Sequence, residues 1–198
     1  MNTKEKILDA ALTLFSENGF RGTSVEQIAR LVGIKAPSLY KHFKSKEEIL
    51  NAIIDSAEKC YEESFGSERN IGLLPQSKDE FIQITMKKVL FTMRDPMIRK
   101  MRMLQTQEQY RNARFAELAT WHQLYGIQEM YAKLIGLMMK TGLFKKDDPE
   151  LLAIELTAPA VLQISRADRY PDSTEECLNC VEKHLKHFCN IYMTTKEF

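Results

Sequence analysis

Helix boundaries lie unusually close together between residues 24 and 46, and this feature constrains the fold more than any other. Thr23 or Ser24 can cap the first of these helices, because each has a glutamate or glutamine three residues later, as in a capping box. Gly33 then supplies a tight turn, since glycine adopts a left-handed conformation at little cost. The sequence therefore predicts a short helix followed by an abrupt change of direction.

The next helix is shorter still. Pro37 suits its first turn, where the missing N–H costs nothing, and Ser45-Lys46-Glu47-Glu48 forms a second capping box that begins another helix. Two short helices joined by a turn containing glycine form a helix-turn-helix. Its apolar positions are expected to pack the pair against the first helix: Val25, Ile28, Ala29, Val32, Leu39 and Phe43.

The rest of the chain also has helical periodicity. A first helix is expected to close in a left-handed conformation at Gly19. Five later helices are predicted over 78–94, 96–109, 113–141, 149–166 and 174–194. No segment of four to eight residues alternates as a strand would. We therefore predict an all-α protein of about nine helices, with a three-helix head that contains the helix-turn-helix.

Composition and charge limit the kind of partner and the compartment that we expect for this chain. The 198 residues are 44% hydrophobic and carry a net charge of +1, so affinity for nucleic acid must come from a local patch. The start of the chain has no apolar signal-peptide core, and no run approaches the ~20 apolar residues that span a bilayer. We expect a cytoplasmic protein without a cofactor or metal, whose cysteines are reduced thiols.

Such a patch lies in the helix-turn-helix. Between Arg30 and Lys46 there are five basic residues and no acidic one. Lysine, tyrosine, histidine and serine side chains all donate hydrogen bonds to phosphates. The helix that begins at Lys46 adds unpaired N–H groups and the positive end of its dipole. The segment therefore has the donors that a DNA backbone requires.

Residues 34–46 read Ile-Lys-Ala-Pro-Ser-Leu-Tyr-Lys-His-Phe-Lys-Ser-Lys, and Gly33 precedes them. This segment resembles the TetR-type transcriptional regulators, whose helix-turn-helix ends in Leu-Tyr-x-His-Phe-x-x-Lys; the resemblance covers 3–50. It implies a homodimeric repressor that binds a palindromic operator and releases it when a small-molecule effector moves the fourth helix. Residues 1–47 would be the DNA-binding domain, and 48–198 the effector-binding and dimerisation domain.

The resemblance implies roles for seven residues of the head. Four are expected to contact phosphates: Ser24, Tyr40, His42 and Lys46. Three are expected to face base edges: Lys35, Ala36 and Ser38. Glu26 departs from the pattern, since some members have a base-reading arginine there, and we leave it out of the set. Tyr40 has an alternative role as a core aromatic on a short helix.

The region 78–141 holds eight of the ten methionines. Flexible thioethers and aromatic rings can line an adaptable cavity, although they also fill ordinary cores. The resemblance favours an effector pocket here. Its predicted lining is Met86, Met101, Leu104, Trp121, His122 and Tyr125. His122 is either a polar group in this pocket or a core histidine bonded to a neighbour.

The last two predicted helices have broad apolar faces, and Pro159 is expected to kink the first of them. The resemblance implies that these helices of two subunits form a four-helix bundle. The predicted interface is Leu152, Leu156, Ala160, Leu178, Val181, Leu185 and Phe188.

Three alternative functions stay open. A regulator could respond to thiol oxidation or a metal through Cys177, Cys180 and His184, although a continuous helix would let one ion bind only the last two. An enzyme fused to a DNA-binding head is disfavoured, because the chain has no Gly-x-Ser-x-Gly, His-Glu-x-x-His or phosphate-loop motif. A DNA-organising protein without an effector is disfavoured by the near-neutral charge.

Overall fold

A computed structural model describes residues 2–65 and 74–194 of the chain. Within these ranges the regular structure is helical, apart from one isolated bridge between Phe144 and Met193. The α-helices are α1 Thr3–Gly22, α2 Val25–Val32, α3 Ala36–Tyr40, α4 Lys46–Phe65, α5 Lys78–Arg94, α6 Pro96–Glu108, α7 Ala113–Thr120, α8 Gly126–Thr141, α9 Pro149–Arg169 and α10 Thr174–Tyr192.

A π-helical turn, Trp121–Tyr125, joins α7 to α8. These three segments correspond to the single helix predicted over 113–141, so the described ranges contain nine helices when they are counted as one. The all-α prediction is confirmed.

The boundaries of α1 and α2 follow the local signals. Gly19 has φ 76° and ψ 163°, a conformation almost confined to glycine, and it interrupts α1. The expected left-handed closure at Gly19 is wrong, because its ψ is extended and α1 continues to Gly22. Ser24 caps α2: its hydroxyl accepts from the Gln27 N–H, and the Gln27 side chain accepts from the Ser24 N–H. Thr23 is not the cap, because its hydroxyl donates to backbone carbonyls of α1.

The turn and the later boundaries are also as predicted. Gly33 ends α2 in the left-handed conformation, with φ 78° and ψ 28°. Pro37 lies in the first turn of α3. The Ser45 hydroxyl accepts from the Glu48 N–H at the start of α4, whereas the Glu48 carboxylate accepts from the Lys44 N–H. The helix-turn-helix is therefore specified by contacts between residues at most five positions apart.

The described residues pack as two compact units. The first comprises Met1–Glu63 and Asp95–Ala119, and the second comprises Ser64–Arg94 and Thr120–Phe198. Most of α4, all of α6 and all but the last residue of α7 thus belong to the same unit as the helix-turn-helix. This division differs from a boundary after residue 47, and the functional boundary predicted there stays a prediction.

The first unit has its own apolar core. Ile7 and Phe15 of α1 are fully buried, as are Ile28 of α2 and Leu39 of α3. Helices α6 and α7 add Ile98, Met101, Leu104 and Phe115 to the buried set. The packing residues predicted for the helix-turn-helix are buried, except that Val32 is only half-buried.

The second unit has a core built from α5, α8, α9 and α10. It contains six of the seven residues that the sequence assigned to a dimer interface: Leu152, Leu156, Leu178, Val181, Leu185 and Phe188. Their side chains have almost no surface left to bury against a second subunit, so the structure corrects that assignment. Ala160 is half-buried against the same core. The physical reason is that a helix's strongest apolar face packs first inside its own chain.

Candidate DNA-binding surface

Helix α3 presents one side to the core and the other to solvent. Leu39 is completely buried and Phe43, just after the helix, is buried with it. Tyr40 is 48% exposed, which excludes its alternative role as a core aromatic. A five-residue helix has little stability of its own, so these two apolar anchors determine where it lies.

The other predicted contacts also lie at or near the surface of the helix-turn-helix. Lys35, which precedes α3, and His42, which follows it, are exposed. Ala36, Ser38 and Ser24 are half-buried. The Ser24 hydroxyl accepts one hydrogen bond as a cap and keeps its hydrogen for donation to a phosphate. The DNA contacts of all these residues stay predictions.

Lys46 has a role that the sequence did not indicate. Its Nζ donates to the backbone carbonyls of Phe20 and Thr23, at 2.7 and 2.8 Å. The ammonium also lies 4.5 Å from the centroid of the Phe20 ring. Two of its three N–H groups are therefore used inside the protein, and a phosphate contact from the third stays a prediction.

Glu108 is a second polar residue that sequence reasoning missed. It is buried at the end of α6, and its Oε1 accepts from the Phe20 N–H at 3.0 Å. A backbone group separated by 88 positions has no side-chain signature, so no sequence pattern could have found this contact.

The six predicted effector contacts are divided between the two units. Met101 and Leu104 are buried on α6 in the first unit. The second unit contains Met86, Trp121, His122 and Tyr125; Met86 and His122 are half-buried, and the other two are exposed. Burial lowers the pKa of His122 below its usual value, so its ring is neutral at pH 7. That these residues bind one ligand stays a prediction.

The π-helical turn is tightly packed. An added Cβ on Gly126 would lie 3.0 Å from the Trp121 carbonyl oxygen and 3.1 Å from an indole carbon. In this turn, the Gln123 Nε2 is buried with no hydrogen-bond partner among the described residues. Such turns occur often at functional sites, and a buried amide without a partner is a ready donor to a ligand.

The cysteines of α10 differ in exposure. Cys177 and Cys189 are buried, whereas Cys180 is exposed. Burial raises the pKa of Cys189 to about 12, so its thiol stays protonated at neutral pH and is a poor nucleophile. Across 2–65 and 74–194, no three or more His, Cys, Asp or Glu side chains are grouped to hold a metal ion. None of the described helices has the length and apolar character needed to cross a membrane.

Residues 7–53 match the family model of the bacterial regulatory proteins of the tetR family. The likeness to this family thus covers most of α1, the whole helix-turn-helix and the first turns of α4. The IcaR negative transcriptional regulator of the biofilm operon icaADBC from Staphylococcus aureus strain Newman is 42% identical over 78 residues. That match spans 39% of this chain and 38% of the regulator. The IcaR of Staphylococcus epidermidis is 48% identical over 58 residues, which are 29% of this chain and 30% of that protein. The chain thus matches well under half the length of these curated relatives.

Solved structures extend the likeness in fold to nearly the whole chain. SmeT, the repressor of a multidrug efflux pump in Stenotrophomonas maltophilia, has a TM-score of 0.69 at 19% identity, covering 100% of this chain and 94% of its own. Its triclosan complex has a TM-score of 0.72 at 19% identity, covering 99% and 94%. A TetR-family regulator from Mesorhizobium loti has 0.68 at 21%, covering 97% of both chains. At these identities the likeness establishes the fold alone.

Proposed function

We propose that this chain is a homodimeric repressor that binds a palindromic operator through α2 and α3, and that a small-molecule effector releases it. The exposed side of α3 carries this proposal, because Tyr40, Lys35 and His42 present hydrogen-bond donors beside a helix anchored by buried Leu39. The IcaR relatives are named negative regulators, which supports repression. The triclosan complex of SmeT supports a small-molecule effector.

The DNA-binding step follows from the charge of this surface. In a helix-turn-helix the second helix enters the major groove, and two subunits place their reading helices one helical turn apart, about 34–36 Å. Lys35, Ala36 and Ser38 at the start of α3 would then face base edges, while Tyr40 and His42 donate to phosphates. The half-sites of the operator would be related by the two-fold axis of the dimer.

Selection from a random pool of duplexes, with the full chain at physiological salt, tests this function. We expect enrichment of palindromes whose half-site centres lie about 10 base pairs apart, or a multiple of this. A footprint on the selected duplex should cover both half-sites. Enrichment of no sequence above the starting pool would contradict the proposal, and sequence-independent binding would instead favour a DNA-organising protein.

Tyr40→Phe should weaken binding to every duplex and reduce the slope of log affinity against log salt by about 1, because one phosphate contact is lost. Affinity titrations at several salt concentrations measure this slope. Tyr110→Phe is the matched control, since Tyr110 is an exposed tyrosine of the same unit outside α2 and α3. A slope that Tyr40→Phe leaves unchanged would remove Tyr40 from the phosphate contacts.

The proposed dimer uses the outer face of α9 and α10 instead of the buried one. Leu151, Ile154 and Leu162 are exposed on one side of α9, and Ile191 is exposed on α10. A hydrogen bond from the Tyr192 hydroxyl to the Glu155 carboxylate holds the two helices side by side. Exposed apolar side chains aligned on neighbouring helices are typical of an association surface. A second copy of the chain is the occupant that would complete a four-helix bundle.

The effector step is a shift between two conformations. A ligand can release DNA only by as much as its affinities for the two conformations differ. The neutral His122 and the unpartnered Gln123 amide are the polar groups that we propose for ligand recognition in the second unit. A screen of lipophilic compounds that includes triclosan should find one that weakens binding to the selected duplex. If no compound does so, the sensor part of the proposal fails.

A further inference from the structure

Several polar contacts converge on the corner between α1 and α2. The positive φ of Gly19 interrupts α1 three residues before its end at Gly22. The Thr23 hydroxyl lies within hydrogen-bond distance of the carbonyls of Leu14 and Gly19, at 3.1 and 3.0 Å, and so closes the corner on itself. The next residue, Ser24, caps α2. The direction in which α2 and the following α3 leave α1 is therefore set within these few residues.

Helix α6 contacts this corner through the Glu108 side chain. The carboxylate is 5% exposed and accepts from the Phe20 N–H. An added Cβ on Gly19 would lie 2.9 Å from the same Oε1, so the carboxylate sits where only glycine leaves room. Charge-assisted hydrogen bonds are stronger and more directional than apolar contacts. Glu108 therefore fixes the orientation of this peptide as well as its position.

Lys46, the first residue of α4, also binds this corner. Its Nζ donates to the carbonyls of Phe20 and Thr23, so Phe20 has its N–H held by an anion and its C=O held by a cation. The ammonium above the Phe20 ring adds a cation–π contact. A rotation of the corner would break bonds to both charged groups at once.

We propose that Glu108 and Lys46 are positioning residues for sequence-specific DNA binding. Acting together through Phe20, they set the direction of α2 and α3. A misdirected α3 would lose base contacts in the groove, while flexible side chains still reach phosphates. This inference rests on the proposed function.

The test uses the duplex selected by the wild-type chain and an unrelated duplex. Glu108→Ala and Lys46→Met should each weaken binding to the selected duplex by about tenfold, as for loss of a hydrogen bond to a charged group. In Glu108→Ala, binding to the unrelated duplex and the salt slope should not change, because Glu108 is not a phosphate contact. Glu108→Gln keeps an acceptor oxygen and should stay within about threefold of wild type. Gln107→Ala is the matched control, because it removes only a hydrogen bond to the Ser16 carbonyl.

Two further measurements separate positioning from a general loss of stability. Hydrogen exchange of the Phe20 amide should accelerate in Glu108→Ala and stay slow in Glu108→Gln. The double variant Glu108→Ala, Lys46→Met should lose less affinity than the product of the two single effects, because both side chains bind the backbone of one residue, Phe20.

Wild-type affinity in both single variants would overturn the inference. If Lys46→Met weakens binding to the unrelated duplex as much as to the selected one, Lys46 acts as a phosphate contact alone, and the positioning role given to it is overturned. If the wild-type chain selects no duplex, the proposed function fails, and Phe20 exchange still decides whether Glu108 holds the corner.

Discussion

Replacing Ile154 and Leu162 together by lysine should convert the proposed dimer to a monomer at micromolar concentration. Both side chains are exposed on one face of α9, at 45% and 69%. At an interface related by two-fold symmetry, each lysine would bring a like charge near its symmetry mate and lose water, which is costly without a partner. Sedimentation velocity on the full chain measures the change.

The same variant should bind the selected duplex at least about a hundredfold more weakly, because two linked heads gain affinity from their high effective concentration. Leu90→Lys is the matched control, since Leu90 is an exposed leucine of the same unit on α5. That variant should remain a dimer with wild-type affinity for the duplex. A dimer that survives the double lysine substitution would rule out this face of α9 as the interface.

Leu39→Ala should lower the free energy of unfolding of the head by about 2–5 kcal/mol, the usual cost of truncating a fully buried leucine. Leu39 is 0% exposed and is one of only two apolar anchors of a five-residue helix. Without it α3 has no fixed position, so binding to every duplex should fall as well. Denaturant titration at constant protein concentration, followed by duplex binding, measures both effects.

Tyr40→Phe is the contrasting variant, because Tyr40 is the next residue and faces solvent. It should change the free energy of unfolding by less than about 0.5 kcal/mol while still weakening DNA binding. Together the two variants distinguish the residue that anchors α3 in the core from the neighbouring residue that is proposed to contact DNA. Full stability in Leu39→Ala would mean that the packing of α3 does not depend on this side chain.

The local structure of the head could be predicted from the sequence. Ser24 with Gln27, Gly33 and Pro37 act on backbone groups within a few positions, so their effect depends little on the rest of the fold. The same holds for the helical content of the chain, which follows from apolar periodicity. Gly19 was predictable as a residue with positive φ, whereas its extended ψ and the end of α1 at Gly22 were not.

The apolar faces of α9 and α10 show where such prediction ends. Periodicity identifies the apolar face of a helix. That face can be removed from water equally well in the chain's own core or against a second subunit, so periodicity does not distinguish the two. Leu152, Leu156 and Leu185 therefore suited an interface, whereas the structure places them inside the second unit. The weaker stripe with Ile154 and Leu162 stays exposed, and this is the stripe proposed as the association surface.

What the sequence determined by itself was the all-helical fold and the helix-turn-helix with its exposed donors, because short-range hydrogen bonds and periodicity act within a few residues. What only the tertiary structure decided was which apolar face is internal and how α1 meets α2. The Phe20 C=O accepts from Lys46, 26 positions away, and the Phe20 N–H donates to Glu108, 88 positions away. Backbone N–H and C=O groups are the same at every residue, so only the folded chain can select which of them a distant charge will bind.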